Sequence, residues 1–458
     1  MGSDLEVKPL WRWQELRSAL GLAAEEGPNI SGIAIDSRLL ATGDLFVALL
    51  GDPGPRFHAS SSSERDGHDF VADAIRRGAA GVLVHRDERY GAPTLRVPDT
   101  LDGIWTLGRH RRGRLACPVA AVTGSSGKTT CKEFLAAALG AFATGGSFNN
   151  HIGVPLSLAS TPVDAAAAVY EIGTNYPGEI APLSRLAAPD VAIVLNIHPA
   201  HIEFFDGLDG IRREKLSIAE GLGADGVLVR HEQVQPLADA PRTLTFGKEA
   251  SSDVRLMDVN GDRARLATPK GIVTAPVPGG GEHRALSVAA CATALLALGL
   301  PLAQLERLGA ATLPKGRGNR IEAGGVTVID DSYNANPASM KAALLALAAE
   351  SPAPGGRRIA VLGEMLELGD EGERFHRELA GMCEGLEQVF CVGEGMMPLC
   401  EELGSTGHTQ WLPKADRAFA ATCARTLRPG DTVLVKGSNR IFWANGFVDA
   451  LVAALQAA

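Results

Sequence analysis

Apolar positions along the chain fall into short runs, each closed by glycine or a polar residue, with longer alanine- and leucine-rich stretches between them. Gly32-Ile33-Ala34-Ile35, Leu45-Phe46-Val47-Ala48-Leu49 and Val82-Leu83-Val84 read as strands, with a helix over Asp69 to Arg77 before the third. Asp52 to Asp66, rich in Pro, Ser and Gly, reads as an exposed loop. A strand over Val119 to Val122 leads through Thr123 to Thr130 into a helix, Cys131 to Leu139. Strand-like runs follow at Ala168 to Tyr170, Val191 to Leu195 and Gly226 to Val229, and then a buried helix within Ala285 to Leu300. Further on, Val326 to Ile329, Arg358 to Gly363, Gln388 to Gly393 and Asp431 to Val435 alternate with helical stretches. This alternation predicts an α/β fold with mostly parallel sheets. Three domains are expected: an N-terminal α/β domain over 1–113, a central parallel-sheet domain with a phosphate-binding loop over 114–314, and a C-terminal Rossmann-like doubly wound domain over 315–458. Ligand groups should line the carboxyl edge of the last sheet. The charged run Arg109 to Arg114 reads as a hinge or as a solvated helix end.

Composition narrows the class. The chain has 458 residues, too many for one ordinary core. It is 45% apolar and 21% charged, as globular proteins are. A net charge of −9 speaks against a nucleic-acid partner. The most apolar stretch, Ala285 to Leu300, falls short of the ~20 residues a membrane span needs. Met1 to Trp13 carries Asp4, Glu6, Lys8 and Arg12 and lacks the apolar core of a secretory signal. The 7 cysteines are scattered without a CxxC pair, which suggests reduced thiols. The expectation is a cytoplasmic protein without membrane insertion. Cys131, at the start of the loop's helix, is either a thiol of lowered pKa or an inert buried one.

The candidate chemistry begins with Thr123-Gly124-Ser125-Ser126-Gly127-Lys128-Thr129-Thr130. Strand, glycine-rich turn and helix in that order make a phosphate-binding loop. Glycines let backbone N–H groups converge on an anion, and the helix N-terminus adds partial positive charge. Lys128 would reach the terminal phosphates and the Thr129 hydroxyl a Mg²⁺ ion. The general pattern asks for glycine at position 122, where this chain has Val122. Glu171, after the strand Ala168 to Tyr170, could hold phosphate-bound Mg²⁺ or be a surface glutamate. His198 and His201 could form a zinc pair, His201 alone could reach a Mg²⁺ shell, or both could be structural. Lys215, in the helix-like run Ile211 to Ile218, reads from spacing as a solvated lysine. Asn149 and Asn150, before a Gly-Pro turn, offer donors and acceptors to a polar substrate, or form the turn alone. Asp330-Asp331-Ser332-Tyr333-Asn334-Ala335-Asn336-Pro337 clusters acids, amides and a phenol, suited to ribose hydroxyls. It also reads as a turn before a helix capped by Asn336 with Pro337 at its first position. Lys436-Gly437-Ser438 suits a carboxylate or phosphate, or is a plain loop.

Together these segments resemble the Mur ligase family over nearly the whole chain. Thr123 to Thr130 looks like that family's own form of the loop, which accounts for Val122. The match extends to Asn149-Asn150…Ile152-Gly153-Val154-Pro155, Glu171-Ile172-Gly173…Gly178-Glu179-Ile180, Asn196-Ile197…Ala200-His201-Ile202-Glu203, Ile329 to Pro337 and Lys436-Gly437-Ser438. Asp36-Ser37-Arg38…Gly43 to Leu49 resembles the UDP-sugar end, so Ser37 and Arg38 would contact that part of the substrate. The stretch Ile329 to Pro337 is most similar to the member that joins D-Ala-D-Ala to UDP-N-acetylmuramoyl-tripeptide. The resemblance implies an ATP-dependent amide ligase of peptidoglycan precursor synthesis that works through an acyl phosphate, as a monomer. A sister ligase adding a single amino acid, or a scaffold that binds without turnover, are the other readings. Glu171, His201 and Thr129 would ligate Mg²⁺, with Lys215, carbamylated, holding a second ion. Gly124, Ser125, Ser126, Gly127, Lys128 and Thr130 would cradle phosphates, and Asp331 would touch the ribose. Asn149, Asn150, Tyr333, Asn334, Asn336 and Lys436 would lie near the substrates. Arg317 or Arg320 would face the phosphates. This chain departs from the family at His283-Arg284…Ser287, where asparagines are usual near the adenine, at Ser147, where Asn is usual, and in the insertion Asp52 to Asp66.

Overall fold

The computed structural model describes residues 8–52, 65–404 and 408–457. Most of the predicted 52–66 loop lies outside these described residues. The chain builds three sheets. The first pairs β1 (Ile33–Ala34), β2 (Leu45–Val47), β3 (Gly81–Val84) and β4 (Thr94–Arg96), all parallel and in sequence order. The helix foreseen over 69–77 starts as a tight turn, Gly67–Phe70, capped by Asp66, and continues as Val71–Arg76.

The central sheet contains β5 (Val119–Thr123), β6 (Ala168–Glu171), β7 (Val191–Val194), β8 (Val227–His231), β9 (Thr243–Gly247), β10 (Val254–Asn260), β11 (Arg263–Thr268) and β12 (Gly271–Pro276). Their order across the sheet is β12-β11-β10-β9-β8-β7-β5-β6. Neighbours from β6 to β10 run parallel, whereas β10, β11 and β12 are antiparallel. Every residue of β5 is buried, as a strand covered on both faces requires. Its side chains alternate. Ala120 and Val122 join Phe134 and Val288 of the helices Lys128–Leu139 and Glu282–Ala297, while Val119 and Ala121 join Trp105 and Val154 on the other face. The alanine-rich helix foreseen within 285–300 is thus a core layer.

The C-terminal sheet holds β13 (Asn319–Ala323), β14 (Val326–Asp331), β15 (Arg358–Gly363), β16 (Gln388–Val392), β17 (Thr409–Leu412) and β18 (Thr432–Lys436). The order is β13-β14-β18-β15-β16-β17, parallel except for β13. The charged run Arg109 to Arg114 is a helix end, solvated at Arg109 and Arg114 but not at Arg111. It closes the helix Thr100–Arg112, where Arg111 is buried 3.9 Å over the Trp11 ring and donates to the Leu10 carbonyl at 2.6 Å. Arg112 donates to the carbonyls of Ala187 and Ala188 at 2.7 and 2.6 Å and so caps the helix Ile180–Ala187. Guanidinium groups found acceptors that the sequence could not show.

Candidate active site

β5 delivers the chain into the loop 124–127, and Gly127 takes φ 78, a left-handed conformation that favours glycine, before the helix Lys128–Leu139 begins. The loop is held from the next strand. Asn196 accepts from Ser125 N through its carbonyl (3.1 Å) and from Ser126 N through Oδ1 (2.9 Å), and Ser125 Oγ bonds His198. Lys128 Nζ folds back onto the Gly124 carbonyl at 2.8 Å. Burial pushes its amine down, with Glu171 opposing. A helix start leaves N–H groups without intrahelical partners, so this turn is built for an anion.

Glu171 ends β6 and is only 3% exposed, so it is no surface glutamate. Its Oε1 accepts from Asn149 Nδ2 at 2.7 Å, and its Oε2 is buried with no partner. A buried carboxylate oxygen without a donor is costly unless something positive meets it. Thr129 is buried too, and its Oγ1 lies 3.1 Å from Ser147 Oγ, to which Arg317 Nη2 donates at 3.0 Å. Arg320 pairs with Glu350 at 2.7 Å elsewhere along the same cleft, whereas Arg317 reaches the loop side through Ser147. Lys132, which the sequence reading passed over, is buried and ties the 144–146 turn through the carbonyls of Thr144 and Gly146.

His201 has a left-handed backbone (φ 56) after β7, and its Nδ1 contacts the Glu367 carboxylate. That contact holds Glu367 below its ordinary value. His198 sits apart from it in role: burial, then His231, lowers its pKa. No zinc pair forms. Among the described residues the one group of three His, Cys, Asp or Glu ligand atoms close enough for a metal is Asp66, His68 and His85. There His68 already uses Nδ1 on Asp66 (2.6 Å) and Nε2 on the His85 N–H (3.1 Å). Lys215, read from spacing as solvated, is 3% exposed on the helix Gly207–Leu216. Burial, reinforced by the nearby Lys128 charge, pushes its amine well below the usual range. The preceding Glu214, unnoticed in the sequence, accepts from Gly178 N (2.7 Å) and Ile180 N (2.8 Å) and anchors the start of the helix Ile180–Ala187. Cys131 is fully buried, and its carbonyl accepts from Cys291 Sγ at 3.9 Å.

Across from the loop stands the carboxyl edge of the C-terminal sheet. Lys436, last in β18, bonds Asp331 Oδ2 at 2.6 Å and the Asn334 carbonyl at 3.1 Å. Asn336 caps the helix Pro337–Ala348 in a capping box with Ser339 and also donates to the Ser125 carbonyl at 3.4 Å. Tyr333 packs edge-on to Trp443 and lies under the Arg317 guanidinium, 4.2 Å away. The turn and substrate readings of Asn150 coexist: Oδ1 accepts from the N–H groups of Ile152 and Gly153, and the residue lines the cleft. That cleft, about 1710 Å³, brings together Lys128, Glu171, His201, Arg317, Asp331 and Lys436. Thr129 and Lys215 are buried behind its wall. Ser37 and Arg38 are not in it. They follow β1, where Arg38 pairs with Asp36 at 2.7 Å and Ser37 bonds Asp73. At the adenine-type positions, Arg284 donates to the carbonyls of Gly279 (2.9 Å) and Arg317 (3.3 Å), and burial brings His283 down to about 4.

Known proteins share this fold. Residues 122–295 match the Mur ligase middle domain, and residues 316–439 match the domain described as Mur ligase, glutamate ligase domain. The UDP-N-acetylmuramoyl-tripeptide–D-alanyl-D-alanine ligase of Bacillus subtilis is 37% identical over 382 residues, 80% of each chain. The crystal structure of MurF from Acinetobacter baumannii superposes with a TM-score of 0.80 at 31% identity, covering 97% of this chain and 99% of the other. MurF from Thermotoga maritima in complex with ADP gives 0.73 at 28% identity, covering 93% and 98%.

Proposed function

The chain belongs to the Mur ligase family, and from that premise we propose that it joins D-Ala-D-Ala to the terminal carboxylate of a UDP-N-acetylmuramoyl-tripeptide, driven by ATP, in cytoplasmic peptidoglycan precursor synthesis. No helix among the described residues is long and apolar enough to cross a membrane. The observation that carries the reading is the unpartnered, buried Oε2 of Glu171, set in one cleft with Lys128 and faced by Arg317, Asp331 and Lys436. Residues 1–113, 114–314 and 315–458 act as UDP-end, ATP and ligase domains, and the cleft is built within one chain, in keeping with a monomer.

The chemistry needs a carboxylate made electrophilic. The tripeptide carboxylate oxygen attacks the γ-phosphorus, the bond to ADP breaks, and an acyl phosphate forms. The dipeptide amine then adds to the carbonyl carbon, loses a proton, and inorganic phosphate leaves. Such transfer depends on position and charge neutralisation. The loop Gly124–Thr130 cradles the phosphates through its N–H groups, and Lys128 moves from the Gly124 carbonyl to the terminal phosphate. Arg317 meets the same charge from the opposite block, and Asp331 accepts from the ribose. Asn149, Asn150, Tyr333, Asn334, Asn336 and Lys436 hold the reacting ends, while Ser37 and Arg38 hold the UDP end. Thr129, Glu171 and His201 are hydroxyl, carboxylate and imidazole donors that fit a divalent cation. Two Mg²⁺ ions, when bound, would neutralise charge on the phosphoryl oxygens. Burial pushes the Lys215 amine well below its usual range and so favours its uncharged, nucleophilic form. It can add CO₂ with loss of a proton, and the carbamate completes the ligand set.

Phosphate release from ATP with UDP-N-acetylmuramoyl-tripeptides ending in diaminopimelate or lysine tests this reading. Release is expected with D-Ala-D-Ala and not with single amino acids. Release with a single amino acid alone, or none with any amine, would overturn it.

A further inference from the structure

Among the described residues only Ala188, His201 and Glu367 adopt a left-handed backbone without being glycine. Two of these three touch each other. His201 (φ 56) follows β7 in the central block, and Glu367 (φ 63) follows β15 in the C-terminal block. Side chains with a Cβ rarely take this conformation unless the surroundings demand it. Here the demand is visible. The turn Ile202–Phe204 packs against the turn Gly369–Glu371, and a Cβ on Gly369 would lie 3.6 Å from Glu203. The two strained residues bring the Glu367 carboxylate onto His201 Nδ1. A carboxylate only accepts, so Nδ1 carries the hydrogen and donates, and in the neutral ring Nε2 keeps its lone pair. Arg440 lies close enough to act on Glu367 as well.

We propose that Glu367 is a positioning residue: on docking of the C-terminal block its carboxylate fixes the tautomer and ring orientation of His201, so that Nε2 is presented to the cation. This deepens the ligase reading and rests on His201 being a cation ligand. A carboxylate behind a ligating histidine orients the ring and raises its basicity. Its origin in the other block adds a consequence: His201 is fully oriented only while the two blocks are docked. The central block's Glu171 and Thr129 need no such help from a carboxylate.

The test is ¹⁵N spectroscopy of the full-length, metal- and nucleotide-free protein labelled at its 11 histidines, with the His201 signals identified by their loss in His201→Gln. The parent should show a protonated Nδ1 and a bare Nε2, and Glu367→Ala a mixture of tautomers. In the ligation assay Glu367→Ala should raise the Mg²⁺ concentration for half-maximal rate by about tenfold or more, with the KM for D-Ala-D-Ala unchanged. Glu367→Gln, which keeps an acceptor, should fall between. Glu367→Leu repeats the test should the alanine variant fail to fold. An unchanged tautomer in the alanine and leucine variants overturns the proposal. A changed tautomer with an unchanged Mg²⁺ requirement removes His201 from the cation, and the proposed role of Glu367 with it, while ligation itself stands.

Discussion

Ser147 is where the loop meets the C-terminal block, so replacing it is informative. Ser147→Ala deletes one hydroxyl that contacts Thr129 Oγ1 at 3.1 Å and receives Arg317 Nη2 at 3.0 Å. A neutral hydrogen bond contributes about 1 kcal/mol net, and one to a charged group about 1.5–3 kcal/mol. Ser147 and Arg317 are only partly buried, so the sum is discounted to ~2 kcal/mol, which corresponds to roughly a 30-fold fall at about 1.4 kcal/mol per tenfold. The fall should appear in kcat/KM for ATP, measured by phosphate release at saturating tripeptide and dipeptide, with the KM for D-Ala-D-Ala little changed. A double-mutant cycle with Arg317→Met isolates the bridge. The expected coupling is about 1–2 kcal/mol, because either change alone breaks the same contact. Arg320→Met is the control, since Arg320 pairs with Glu350 on an exposed flank and its loss should cost under about 0.5 kcal/mol. Ser147→Ala within about twofold of the parent, or effects of Ser147 and Arg317 that simply add, would refute the bridge.

Three further outcomes follow from the same geometry. Lys128→Ala should reduce ligation by at least about a thousandfold, because the cation at the phosphates is lost; turnover near the parent's would remove the loop from the reaction. Lys215→Ala should lose ligation and regain part of it with millimolar short carboxylic acids, and the parent should slow in CO₂-free buffer; no rescue together with CO₂ independence would exclude the carbamate. Asp431→Asn tests the C-terminal sheet. Burial alone would raise the Asp431 pKa, but the Arg357 guanidinium and the N–H groups of Arg428 and Arg357 outweigh it and hold the carboxyl below 3.8. Its stabilisation is therefore present above 3.8 and is lost as pH falls through the folded value. The variant should be less stable by about 3 kcal/mol at neutral pH, and the gap in denaturant unfolding should close in acid; a gap that is constant with pH would contradict the pairing.

Parallel strands such as β5, β7, β15 and β16 were legible because they are buried on both faces and read as apolar runs, as Val119 to Thr123 does, whereas the parallel but more exposed β4, β9 and β17 were not. The antiparallel extension β10 to β12 was not, because one face is open. Only Val254 and Leu256 of β10, and Ala264 and Leu266 of β11, point inward, and polar residues separate them. Asn260-Gly261 between them was the available signal, a hairpin turn dipeptide. β13 escaped for the same reason. The site's near parts were readable because loop, strand end and helix start are contiguous. Its far parts were not. Lys215 looked solvated because its burial comes from neighbours distant in sequence, and Arg111 found Trp11 only through folding. Glu367 sits 166 residues from His201, and no local pattern marks their contact. The choice between Arg317 and Arg320 likewise needed the position of Ser147.

The most direct test of the ligase reading follows the oxygen of the activated carboxylate. UDP-N-acetylmuramoyl-tripeptide labelled with ¹⁸O at its terminal carboxylate is incubated with ATP and D-Ala-D-Ala, and the phosphate and peptide products are weighed by mass spectrometry. The predicted result is one ¹⁸O in each phosphate released, one retained in the new amide, and a pentapeptide formed in equal amount to phosphate. Unlabelled phosphate, or phosphate released without pentapeptide, would contradict the reading that the loop from Thr123 to Thr130 drives amide formation.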